Sequence, residues 1–411
     1  MSGDGMINGG RASFVADAGT AEAKPAPTAE PAPTAEPAPT ADPPTRVEKR
    51  RVDWIDMARG ACVLAVVLTH VCYRLVFPVA GPESGRPLYT LWDRLNYEVL
   101  GHLRMPLLLF LSGWLAGSKI RSGVGNPRAR LSIVTNAYLY VFWTIAYVAL
   151  ELGVPRHEGI MITSTVHSWA QLPGELVAPQ DGPLWFVYGL ALCVTVLALA
   201  RRVPPGLVLG ILFVVGWLEE IRDTDTAAAW TGVPHLAFYF ALGVVVGPRV
   251  AQIIATRRAV VAGVLAFVAG AVLIGGKVLS GPWVYLANTA MRLGAVIGLM
   301  AAARALARWR LLRVPAAWVG RRTLSIYVLH WPIIGLLGLA CVASAEPLAQ
   351  WLASDLIVVW SSLVVAAVIA ATALAVETIT KRAGLTFLFE PPRALRRRVT
   401  GVTAPAVASR A

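Results

Sequence analysis

Charge is scarce in this chain, and acid is scarcer than base. Only 15% of the 411 residues are charged, and 37 lysines and arginines outnumber 24 carboxylates to leave a formal net charge of +13. Such an excess invites a nucleic-acid reading, but the basic residues are dispersed among short loops between apolar runs and form no basic domain. Cysteine is almost missing. Cys62, Cys72, Cys193 and Cys341 each stand alone in an apolar segment with no CxxC or Cys/His spacing, so neither a zinc site nor a disulfide framework is indicated, and no metal is expected. They read as small core hydrophobes. No apolar run precedes residue 50, so a cleaved secretory leader is not expected and the first helix is read as an uncleaved anchor. A Gly-rich phosphate loop between a strand and a helix is also lacking, which argues against nucleotide hydrolysis.

What the chain has in excess is apolar length. Hydrophobic residues make up 56% of it and the mean hydropathy is +0.61, too apolar for a water-soluble core and expected of an all-α polytopic membrane protein. Residues 1–45 differ: the hexapeptide Pro25 to Glu30 recurs as Pro31 to Glu36 and Pro37 to Asp42, a composition that buries too little to fold and predicts a disordered, partly polyproline-II tail. About ten transmembrane helices follow, near 58–79, 95–117, 131–152, 183–200, 206–219, 229–247, 259–279, 284–303, 322–342 and 354–377, the fifth being the weakest. The expected organisation is a tail over 1–45, a membrane domain over 46–385 and a basic tail over 386–411.

Loop charge orients this array. With the amino terminus inside, the inner loops carry fifteen basic residues, among them Lys119, Arg128, Arg201, Arg258, Arg308 and Arg322, against Arg86, Arg94, Arg156 and Arg222 outside. That bias places both termini in the cytoplasm, and the plasma membrane is the expected location. The longest outer connection, about 153–182, carries His157, Glu158, His167, Trp169, Glu175 and Asp181; the next outer loop carries Glu219, Glu220, Asp223 and Asp225. Polar outer loops with a tryptophan suit a hydroxylated acceptor as well as they suit plain solvation.

Ionisable residues inside apolar runs are costly and mark substrate or proton paths. Arg59 and His70 lie eleven residues apart in the first run, which on a helix is about three turns and roughly 16 Å along one face. Arg59 then sits near a membrane boundary, with Asp56 at i−3 to pair with it, and His70 near mid-bilayer. On the second run His102 has Glu98 at i−4, placed to orient its ring, and Arg104 beside it; on the ninth, Tyr327 and His330 share a face, and Pro332 frees a carbonyl one turn earlier that is expected to face a cavity. Trp185 and Phe186 stand at a boundary as site wall or aromatic belt. Ser112 and Gly113 read as a close helix approach, since no base follows a triad logic.

Four segments in order carry a resemblance. Arg59 to His70, then His102-Leu-Arg-Met-Pro running to Ser112-Gly113-Trp114, then Gly182-Pro-Leu-Trp-Phe186, then Thr323-Leu-Ser-Ile-Tyr-Val-Leu-His330-Trp-Pro332 resemble the acyltransferase-3 family of integral-membrane acyltransferases over about residues 50–380. The resemblance implies an acyl-CoA donor, acetyl-CoA by default, used as co-substrate with no bound cofactor. It also implies transfer of the acyl group to a hydroxyl, often on a saccharide or glycolipid. Arg59 and His70 match the family's functional pair, and Arg104 places a charge where relatives are often apolar or polar.

The chemistry of the residues agrees. Removing a proton from a sugar hydroxyl needs a base within hydrogen-bond reach, which points to His70 as base or as acyl carrier. Arg59, held by Asp56, suits a coenzyme A phosphate. Substrate contacts fall to His102, Glu98, Trp185, Tyr327 and His330. A transporter or flippase for a lipid-linked saccharide is the alternative, though no duplicated half is evident.

Overall fold

A computed structural model describes residues 53–82, 85–154, 162–163, 166, 168–179, 182–222 and 232–401. The Pro-rich repeat and all of residues 1–52 lie outside them. The described residues form helices and no strand: α1 (Asp53–Val71), α2 (Gly101–Ser122), α3 (Pro127–Gly153), α4 (Trp185–Leu199), α5 (Pro205–Arg222), α6 (Gly232–Ile253), α7 (Arg257–Gly275), α8 (Pro282–Leu306), α9 (Arg310–Gly320), α10 (Thr323–Cys341) and α11 (Asp355–Arg382). Helices are the expected answer, because backbone groups in lipid must find partners within their own segment.

Nine of the described helical stretches are long and apolar enough to cross a membrane, and Pro205–Glu219 in α5 is a shorter apolar helix. Side-chain pairs decide whether α5 crosses too. Arg59 meets Thr323 and, further along both helices, His70 meets His330, so α1 and α10 run in the same direction. The contacts of Gly113 with Phe240 and of Gly117 with Val244 make α2 and α6 parallel as well. Both relations require α5 as a crossing, giving α10 the ninth place and α6 the sixth. Ten crossings, the number expected from the apolar runs, satisfy them; nine would make both pairs antiparallel.

Small residues bring the bundle together. A Cβ on Gly113 would sit 1.9 Å from the Phe240 carbonyl oxygen, and one on Gly243 2.0 Å from that of Phe110. Gly113 and Gly117 on α2 thus oppose Gly243 and Gly247 on α6, small residues at four-residue spacing on both faces. Ser112 bonds its own helix, donating to the Leu108 carbonyl at 2.7 Å, so this segment packs as expected. Centrality varies widely: 56% of the apolar window of α10 is buried but only 11% of that of α7, which leaves α7 facing lipid.

Two features depart from the sequence expectation. First, the stretch with Arg310 and Arg313, expected as part of a basic inner loop, is the eleven-residue helix α9. It is an amphipathic helix against α1, with Leu311 90% exposed and Trp309 and Val314 outward, the pattern of a helix lying at a membrane surface. Second, residues 386–389 do not trail away. The Phe387 and Leu388 carbonyls accept hydrogen bonds from Tyr138 and Trp143 of α3, both at 2.9 Å, and Phe389 is buried.

Candidate active site

At one end of the bundle, here the near end, α1 presents Arg59. Its Nη2 donates to the Thr323 hydroxyl at 3.0 Å, and its Nη1 lies 3.7 Å from Asp56 Oδ1, one turn back. Asp56 is buried with Oδ2 unbonded. The reason it is buried is steric: Gly320 at the end of α9 lies so close that a Cβ there would be 1.7 Å from the Asp56 carbonyl oxygen. The carboxylate thereby lies in ion-pair range of Arg59, whose guanidinium is bonded to the first residue of α10.

Three turns deeper, His70 stacks on His330 with ring centroids 5.3 Å apart and planes 27° apart, and meets the edge of Trp331 at 4.8 Å. His330 is fully buried. Its Nδ1 lies 2.7 Å from the Tyr327 carbonyl and 3.1 Å from that of Ile326. Carbonyls only accept, so Nδ1 carries the proton and the neutral ring presents Nε2 as a lone pair, with no bonded partner among the described residues. His70 itself is half-buried. The two imidazoles are therefore packed inside the protein, side by side.

The surrounding groups hold this stack from every side. Tyr327 donates its hydroxyl to the Pro183 carbonyl and carries Phe186 on its ring at 5.1 Å. Trp185 packs on Phe186 instead, so the Leu-Trp-Phe segment reaches the site through its phenylalanine. Arg74, one turn beyond His70, covers the face of Trp331 at 4.3 Å. The Trp331 indole donates to the Thr163 carbonyl at 2.9 Å. Thr163 is in turn fixed by Glu151 and by the Tyr147 carbonyl, both at 2.6 Å. Part of the long outer connection is thus buried against α10, while its His157, Glu158, His167 and Asp181 lie outside the described residues.

Two expectations take a different form. Glu98 does orient His102, but through its backbone carbonyl, 2.6 Å from Nδ1, and not through its carboxylate. The carbonyl freed by Pro332 does not face a cavity: the Tyr147 hydroxyl occupies it, donating to Val328 at 2.7 Å. Other contacts were unforeseen. Arg104 donates to Thr69, the neighbour of His70, at 2.6 Å, and Arg292 of α8 donates to His235 Nε2 of α6. For Arg74 the signal was present, four residues after His70; for Thr69, Thr163 and Tyr147 none was. Beyond the Arg74–Trp331 contact lies an apolar cavity of about 490 Å³, lined by Leu75, Val79, Ile334, Leu337 and Leu352, and reached by neither Arg59 nor His70.

The fold and these residues define a polytopic helical membrane protein with ionisable groups in its interior. Its sequence fixes the group. The acyltransferase-3 family model, described as an acyltransferase domain, matches residues 52–376, and the chain belongs to that family. It is a membrane acyltransferase of the O-acyl-transferring, non-aminoacyl kind. No curated protein and no solved structure matches the chain significantly.

Proposed function

We propose that the protein moves an acyl group, acetyl by default, from acyl-CoA on the near side to a hydroxyl of a saccharide, glycolipid or other hydroxylated acceptor arriving from the far side. The near side is the cytoplasm, both termini lie there, and the membrane is the plasma membrane. The observation that carries this reading is the ladder on α1 and α10: Arg59 with Thr323 at one level, His70 with His330 at the next. Arg59 takes a phosphate of coenzyme A, with Asp56 fixing its rotamer. The pantetheine arm then extends along the helix face for roughly 16 Å, the rise of eleven residues, and delivers its thioester to the imidazole.

In the direct mechanism His70 takes the acceptor's hydroxyl proton as the oxygen attacks the thioester carbon; the C–S bond breaks, and the thiolate leaves with the proton returned by the imidazolium. In the relayed mechanism an imidazole nitrogen attacks the thioester carbon, the C–S bond breaks and coenzyme A leaves as the thiol with the ring's proton; the acceptor hydroxyl then attacks the acyl-imidazole, the C–N bond breaks and the hydroxyl proton returns to the ring. His330 supports either by offering a second lone pair beside the first. The acceptor's ring is met by His102, Tyr327 and His330, with Phe186 packed behind Tyr327.

Reconstitution with labelled acetyl-CoA tests the proposal. Label is expected to leave coenzyme A, by transfer or hydrolysis, and His70→Ala to abolish this. Donor-independent movement of saccharide across the vesicle, with no thioester consumed, would establish the transporter instead.

A further inference from the structure

Among the described residues, the far half of the bundle holds two arginines with no carboxylate partner. Arg104 on α2 bonds the Thr69 hydroxyl and no other described group. Arg292 on α8 bonds the His235 ring and no other described group, and its Nε is buried without a partner among them. Neither forms an ion pair among the described residues, and the acids on adjoining helical turns, Glu98 and Glu219, form none either. A charged arginine in a membrane helix costs about 2.5–3.5 kcal/mol even on insertion scales. Such a residue persists when something neutralises it.

The guanidinium of Arg292 is also aimed. A guanidinium only donates, so the His235 Nε2 that meets Arg292 is a lone pair, and the neutral ring fixes the cation without cancelling its charge. One turn away on the same face of α8, Asn288 is only 7% exposed, and its Oδ1 has no partner. Arg292 lies fourteen residues from the near end of α8, at Leu306, and His70 seventeen from the near end of α1, at Asp53. Those offsets are about 21 and 25 Å, so the two side chains sit at similar depth. His102, two residues before Arg104, stands within electrostatic reach of both arginines and of His235. These groups make a basic track that ends at Thr69, the residue before His70.

We propose that Arg104 and Arg292 bind an oxyanion carried by the acceptor, a phosphate or a carboxylate, while Asn288 Oδ1 accepts from a hydroxyl of the same molecule, and so present the adjoining hydroxyl to His70. The inference rests on the acyltransferase reading and narrows its acceptor to an anionic hydroxylated molecule. The oxyanion comes from a soluble glycan or from a polyprenyl-phosphate-linked one; the chemistry at the arginines is the same.

Full-length protein in phosphatidylcholine vesicles, with coenzyme A at saturation to fill the donor clamp, provides the test. Thermal unfolding is followed with glucose 6-phosphate or glucuronate added outside, or with polyprenyl phosphate in the bilayer; glucose and unphosphorylated polyprenol are the neutral controls. Anionic probes are expected to raise the midpoint and neutral ones not. Arg292→Gln and Arg104→Gln are expected to raise the half-saturating probe concentration about tenfold or more, the worth of one charge-assisted bond. Should Arg292→Gln fail to fold, Arg292→Lys keeps the charge but loses the fork, and an intermediate shift is expected. A response to soluble probes only, or to the lipid probe only, identifies the source. No anionic response, or one unchanged in both variants, overturns the site. Binding needs no thioester, so a protein that binds anions but transfers no acyl group refutes the enzyme reading alone.

Discussion

Arg59 acts through its neighbours. Asp56 and Thr323 together fix its guanidinium, and the cost of losing either falls on geometry rather than on charge. Arg59→Ala is therefore expected to raise the Michaelis constant for acyl-CoA more than that for the acceptor, and Asp56→Asn to do so to a smaller degree, with the turnover number changing less than either. An effect of Arg59→Ala confined to the acceptor would refute the clamp. At this scale the sequence was informative wherever partners lie one or two turns apart: Asp56 with Arg59, Tyr327 with His330. It was silent where partners come from distant helices. Nothing in the chain says that Thr323 will meet Arg59 across 264 positions, or that the imidazole facing His70 will be that of His330, because both contacts depend on helix rotation and depth.

Helix α10 contains a proline where most helices have a hydrogen bond, and the protein repairs it from outside. Val328 accepts from Tyr147 in place of the missing N–H of residue 332. Tyr147→Phe is expected to cost about 1–2 kcal/mol, since it leaves a buried carbonyl unsatisfied. In a Pro332→Ala background, where the helix can bond Val328 itself, the same change should cost less; equal losses in both backgrounds, read from unfolding in detergent, would refute the repair. The seam between α2 and α6 gives a second test. Gly243→Ala drives a methyl group into the Phe110 carbonyl, for an expected loss of at least about 1–3 kcal/mol, whereas Gly275→Ala, with open space around it, should be tolerated. The role of Ser112 and Gly113 was legible because small residues in lipid have few other uses. The helix α9 was not, since eleven amphipathic residues among arginines look like any basic loop.

For the whole molecule, the apolar runs gave the number of crossings, and two parallel helix pairs supply an independent argument for the same number through α5. Cysteine labelling checks it. In a Cys341→Ser background, Lys277→Cys is expected to react with an impermeant reagent from outside the cell and Arg393→Cys only after permeabilisation. With the first helix entering from the cytoplasm, the reverse pattern would mean that α5 does not cross. The sequence carried the topology because charge bias is a property of loops, which can be read one at a time. The partner of Arg292 could not be read in this way, since it is set by the meeting of α5, α6 and α8.

One consequence follows from the two ties between α1 and α10. Riveted at two heights, these helices can neither slide nor swivel past one another without tearing both contacts. A carrier that works by moving α1 against α10 would have to break both contacts in each cycle. On the function proposed above, the traffic is expected to be borne by the visitors, a flexible thioester arm threading in from one face and a sugar settling from the other, around a stationary pair of rods.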